Sequence, residues 1–98
     1  MIVVRDVFQL KFGKSREARE VWAQGKPIVK RLGPATARTL TDCTGPYYTF
    51  VLETTHESLS AYEKHIQSVF GDNEWQQWYA KLTPLVESGR REIFNVAE

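Results

Sequence analysis

At 98 residues, 42% hydrophobic and 26% charged with a formal net charge of +1, the sequence holds one ordinary globular domain, residues 1 to 98, with no room for a second. Thirteen Lys and Arg are dispersed among twelve acids, and the one dense basic pair, Arg90-Arg91, runs at once into Glu92, so no stripe that would track phosphates emerges and no nucleic-acid partner is expected. The start, Met-Ile-Val-Val-Arg, lacks the basic segment and long apolar core of a secretory leader, and lone Cys43 excludes an internal disulfide; a cytoplasmic chain with no membrane partner is expected.

Residues 2 to 12 alternate apolar and polar from Phe8 onward, carry Val3, Val7 and Ile2, Val4 on opposite phases, and predict a first strand. Gly13-Lys14-Ser15 supplies a turn and a serine N-cap for a helix whose stripe is Ala18, Val21, Trp22, Gly25, Ile28, Val29 and Leu32. Pro27 lies inside that stripe and predicts a kink or a split near Gly25, because it removes an amide donor and crowds the preceding turn. Gly33-Pro34 ends the helix. Residues 35 to 43 read as a polar, Thr-rich edge strand, and Gly45-Pro46 turns it into a strand at Tyr47 to Leu52. That strand is apolar on both phases, so both its faces are expected to be covered.

Thr54 and Glu57 fit a capping box for a second helix from about residue 56 to 69, with the stripe Leu59, Tyr62, Ile66, Val69 and Phe70. Gly71 closes it, and Asp72 caps a short helix carrying Trp75, Trp78, Tyr79 and Leu82 to about Pro84. Ser88-Gly89 reads as a turn before a last strand, Arg90 to Val96. Strand, helix, strand, strand, helix, strand is the order of two interleaved β-α-β units. It predicts an α+β, ferredoxin-like βαββαβ fold with a four-stranded antiparallel sheet and helices on one face. The other face would then be apolar and exposed, which predicts a homodimer made by sheet-to-sheet pairing.

Two segments resemble the NIPSNAP-like branch of the dimeric α+β barrel superfamily. The first is Arg5-Asp-Val-Phe-Gln-Leu-Lys-Phe-Gly13-Lys14, similar to that family's opening strand and Gly-Lys turn. The second is Ser58-Leu59-Ser-Ala-Tyr62-Glu63 with Asp72-Asn-Glu74-Trp75-Gln-Gln-Trp78, then Leu82 and Pro84-Leu85, similar to its second helix and Trp-bearing continuation. The resemblance implies a dimeric α+β barrel. Its wider superfamily mixes monooxygenases, haem-degrading enzymes, isomerases and proteins with no known reaction. The haem-degrading members place an Asn, a Trp and a His where this chain has Asp6, Glu53 and Tyr79, so a haem cofactor is not implied.

Asp6 interrupts an apolar strand, and a carboxylate in a dry cleft can act as a base; it also reads as an ion-pair partner of Arg5 or Lys11. His65 borders the stripe of the second helix, where an imidazole can exchange protons with a cleft or simply face solvent. His56 reads as a first-turn residue of that helix. Arg5 offers a planar donor fork to an anionic ligand group, or a salt bridge across a dimer. Tyr48, Phe50, Tyr62, Trp75, Trp78 and Tyr79 could line a pocket for a flat apolar molecule or serve as core. The absence of a phosphate loop, a dinucleotide fingerprint or a metal-ligand cluster predicts neither cofactor nor metal. Three functions stay open: a binding protein for a small apolar or aromatic ligand, a cofactor-independent monooxygenase or isomerase using Asp6 or His65, and a ligand-free structural or adaptor protein.

Overall fold

The computed structural model of the protein describes residues 1–34 and 36–98. In chain order the elements are β1 (Ile2–Leu10), α1 (Ser15–Leu32), β2 (Arg38–Thr41), β3 (Thr49–His56), α2 (Leu59–Phe70), α3 (Asn73–Leu82), a 3₁₀ turn at Thr83–Leu85, and β4 (Val86–Asn95). The strands form one antiparallel sheet in the order β2-β3-β1-β4, with β1 paired to both β3 and β4. The expected α+β ferredoxin-like architecture is the one observed. Among the described residues, no helix is long and apolar enough to cross a membrane.

Register decides which strand phase meets the helices. Val4 is opposite Thr54 and Ile93, Asp6 opposite Leu52 and Arg91, and Phe8 opposite Phe50 and Gly89. Val4, Phe50 and Thr54 are buried, and Phe8 and Leu52 pack against the core cluster that holds residues of α1 and α3, so this even-numbered phase lies under the helices. The odd phase, Val3, Arg5, Val7, Thr49, Val51 and Glu53, faces away. That open face is not the uniformly apolar surface the sequence predicts. Glu53 is buried between two arginines, Arg5 Nε and Arg38 Nε each donating to it at 2.7 Å, and Arg5 also lies 5.4 Å from the centre of the Phe94 ring.

The core divides in two. Leu10, Ala18, Trp22, Ile28, Phe50, Trp78 and Leu82 form one cluster under α1 and α3; Ile2, Val4 and Tyr62 form a second under α2. Helix α1 runs unbroken through Pro27, so the expected split does not occur. Burial of Trp22, Gly25 and Ile28 on its inner face outweighs the one amide the proline removes. Gly25 is required there for another reason: a Cβ at this position would sit 2.1 Å from the Trp78 ring, so only a bare backbone admits that indole. The Trp78 Nε1–H donates to the Val21 carbonyl at 2.6 Å, fixing α3 onto α1.

Several boundaries differ from those read in the sequence. Lys14, not Ser15, occupies the α1 cap and makes no side-chain cap bond, because Gly13 at φ 80° turns the chain early and leaves Ser15 inside the first turn. The edge strand is shortened to Arg38–Thr41, and residue 35, the first of the expected strand, lies outside the described residues. Strand β3 begins at Thr49 rather than Tyr47. The Asp42 carboxylate accepts from the Thr49 amide at 3.0 Å, and Tyr48 takes a left-handed φ of 59°, so both tyrosines belong to the turn. At its other end β3 continues through Thr54 to buried His56, since β-branched Thr54 and Thr55 sustain the pleat. The α2 cap is therefore Ser58, whose Oγ accepts from Ala61 N at 3.1 Å, while Asp72 caps α3 as predicted by accepting from Trp75 N at 2.9 Å. Ser88-Gly89 is not a turn but part of β4, which leaves the 3₁₀ turn directly at Val86.

Candidate functional site

A cavity of about 250 Å³ lies between the helices and the sheet, walled from both core clusters. Helix α2 turns Tyr62, His65, Ile66 and Val69 into it, and α3 turns Trp75, Trp78, Tyr79 and Leu82. Each set follows the i, i+3, i+4, i+7 spacing that puts four side chains on one helical face. Trp22 and Val29 of α1 and Phe8, Leu52 and Thr54 of the sheet complete the apolar wall. Trp75 and Tyr79 stack with centroids 4.6 Å apart and planes 13° from parallel, while Trp22 and Trp78 are tilted at 5.3 Å.

One end of this cleft is polar. Asp6 of β1 and Arg91 of β4 face each other across the register, and Arg91 Nε donates to Asp6 Oδ1 at 2.6 Å. The Arg91 guanidinium lies 5.6 Å from the centre of the Tyr62 ring. Burial is the largest single influence on Arg91 and opposes its charge, but the hydrogen bond to Asp6, the Asp6 charge and the nearby Tyr62 and Tyr79 together outweigh it, and its pKa is raised. Burial also pushes the Tyr62 phenol up and the His65 imidazole down, so at neutral pH both stay uncharged. His56 stands beside the cleft, 5.3 Å from the His65 ring and 5.1 Å from that of Tyr62; its Nε2 meets Thr54 Oγ1 at 2.9 Å. Its pKa is lowered by burial first and by His65 second.

Of the residues singled out in the sequence, Asp6, His65, Tyr62, Trp75, Trp78 and Tyr79 come together in this cleft. Arg5, Tyr48 and Phe50 do not. Arg5 is on the odd phase of β1, so its side chain reaches Glu53 on the opposite face of the sheet. Tyr48 is carried by the left-handed turn towards Phe12, 4.9 Å away ring to ring, and lines a separate hollow of about 200 Å³. Phe50 packs edge-on against Trp22 at 4.9 Å and lines that same hollow. A third groove, about 330 Å³ between α1 and β2, shares Trp22, Val29 and Leu52 with the cleft and contains none of the residues singled out. Arg91, Thr54 and Trp22 are among the cleft residues that the sequence does not mark as site residues. The signal for Arg91 was its place two residues before Ile93: one of Arg90 and Arg91 must face the helices, and only strand register says which. Among the described residues, no group of three or more His, Cys, Asp or Glu is placed to hold a metal ion.

The arrangement defines an α+β ferredoxin-like domain with a cleft between sheet and helices. No family model matches the sequence, and no curated protein matches it. Solved structures do. A NIPSNAP family protein from Agrobacterium tumefaciens superposes with a TM-score of 0.89 at 20% identity over 96% of this chain and 90% of its own. A NIPSNAP domain protein from Burkholderia xenovorans gives 0.89 at 19% identity over 99% and 95%. An antibiotic biosynthesis monooxygenase gives 0.76 at 10% identity over the whole of both chains. The fold is thus the one NIPSNAP family proteins have, and it is similar to that of the monooxygenase; at these identities the likeness speaks for the fold alone.

Proposed function

We propose that the protein binds a small, largely apolar aromatic molecule in the sheet-helix cleft, and does so as a homodimer joined through the open faces of two sheets. The observation that carries the ligand reading is the convergence of aromatic walls on a few polar groups, Asp6, Tyr62, His65 and Arg91, which is how small-molecule sites are generally composed. At about 250 Å³ the cavity falls just below the usual range of roughly 300–1,000 Å³, which favours a ligand of one or two rings. The test is an NMR titration with tetralin, a two-ring hydrocarbon. Saturable shifts of the Trp75 and Trp78 indole resonances are expected, and their absence up to the solubility limit, both for tetralin and for its oxygen-bearing derivatives, would remove the reading.

The dimer rests on the open face, where Val3 pairs with Phe94, which is 47% exposed, and Val51 lies between Val7 and Leu40 further along the sheet. Light scattering at micromolar concentration should report about twice the 11.3 kDa chain mass; a value at the chain mass contradicts the pairing. The exposed free thiol of Cys43 favours a reducing, cytoplasmic setting.

A second reading, a cofactor-independent monooxygenase or isomerase, draws on His65, which is uncharged, partly buried and on the cleft wall. Asp6 is tied to Arg91 and in that scheme orients the arginine rather than taking a proton. His65→Gln then removes turnover and leaves ligand affinity intact; a variant with unchanged turnover rules out this role.

A further inference from the structure

Resting on the reading of the cleft as a ligand site, we infer that its ligand is a neutral aromatic molecule bearing a carbonyl-type oxygen, which accepts a hydrogen bond from the Tyr62 hydroxyl. Two buried side-chain polar atoms have no partner among the described residues, Tyr62 Oη and Trp22 Nε1, and both belong to residues that wall this cleft. Both can donate, and the indole N–H can do nothing else. A buried donor without an acceptor costs free energy, so the missing partner is an acceptor, and a hydrocarbon ligand would leave the deficit standing.

Charge selects among acceptors. Arg91 is matched by Asp6 at 2.6 Å, and His65 is driven towards its neutral form by burial, so the polar end has no surplus positive charge to hold a carboxylate. Only the Nε of Arg91 is engaged by Asp6, which leaves its terminal N–H groups beside the Tyr62 ring as secondary donors to the same oxygen. Neither Tyr62 Oη nor Trp22 Nε1 touches bulk water. The Arg91 side chain, 45% exposed at the mouth, is the part that can swing aside as the oxygen arrives.

The experiment compares 1-tetralone, tetralin and tetralin-1-carboxylate by NMR titration against the wild-type protein and Tyr62→Phe. A cleft with no donor to offer would favour tetralin, because the ketone loses its hydration on binding. The expected result is tetralone binding about tenfold tighter than tetralin, equivalent to about 1.4 kcal/mol, and tighter than the carboxylate. In Tyr62→Phe the tetralone preference falls to near unity while tetralin affinity is unchanged, which also shows that the cleft is intact. Wild-type protein that binds tetralin as well as tetralone, or the carboxylate better, overturns this inference but leaves the ligand site standing. Binding of none of the three overturns the ligand site itself.

Discussion

Tyr62 shows how a single hydroxyl separates stability from function. Its ring packs on Ile2 and Val4, while its Oη is buried with no partner among the described residues. An unsatisfied buried hydroxyl costs about 1–3 kcal/mol, so Tyr62→Phe should stabilise the unliganded protein by about 1 kcal/mol, read as a higher urea midpoint at constant m-value. A lower midpoint would mean that the hydroxyl has a partner in solution. At this scale the sequence was partly legible. Tyr62, His65 and the α3 aromatics were found because helical spacing forces them onto one face, and Asp6 because a charge in an apolar strand stands out. Arg91 was hidden beside Arg90, since neighbouring strand residues look alike until pairing with β1 puts one opposite Asp6 and the other opposite Val7.

Among the elements, α1 and α3 are joined where the Trp78 indole enters the gap over Gly25 and donates to the Val21 carbonyl. Gly25→Ala should therefore destabilise, although alanine is normally the better helix former by about 1 kcal/mol. A Cβ only 2.1 Å from a buried ring cannot be absorbed by a flexible side-chain end. Overpacking of this kind costs about 1–3 kcal/mol, which at about 4–8 °C per kcal/mol is a clear drop in Tm. A Tm unchanged or raised would show that Trp78 can move away without loss. Gly25 is legible as a gap in the α1 stripe, yet nothing local says that a residue 53 positions further along the chain fills it. The same limit explains the misplaced α2 cap: Thr54-Glu57 satisfies the local rule for a capping box, but pairing of Thr54 with Val4 extends β3 past it and Ser58 takes over.

For the whole molecule, the two faces of the sheet respond to acid in different pH ranges. Glu53 on the open face is held below its ordinary 4.5, first by the hydrogen bond from Arg5 and then by that from Arg38. A carboxylate whose folded value lies below its unfolded one stabilises the fold above pH 4.5, and that contribution is lost as pH falls through the lowered value. His56 and His65, beside the cleft, are lowered from 6.5 mainly by burial. The unfolded chain binds their protons first, so stability holds above pH 6.5 and declines below it. Urea midpoints measured from neutral pH downward should thus fall in two stages. His65→Gln should shrink the first stage and leave the second; a single fall confined to the carboxylate range would contradict the histidine assignment. The antiparallel architecture was readable from element order alone. The ionic character of the open face was not, because Arg5, Arg38 and Glu53 meet there only once three strands are in register.

The division of the core has a consequence for how the molecule breathes. Helices α1 and α3 share a cluster of seven buried residues, whereas α2 rests on one of three. Segments with fewer buried apolar contacts open at lower free energy, so α2 is the segment that lifts first, without global unfolding. Its outward excursion uncovers Tyr62 and His65 together and widens the path to the cleft. Hydrogen-deuterium exchange should find the amides of Tyr62 to Val69 opening well before those of Trp22 to Ile28, and a bound tetralone should narrow the difference. Equal exchange in the two helices would mean that the ligand enters past a wall that does not move.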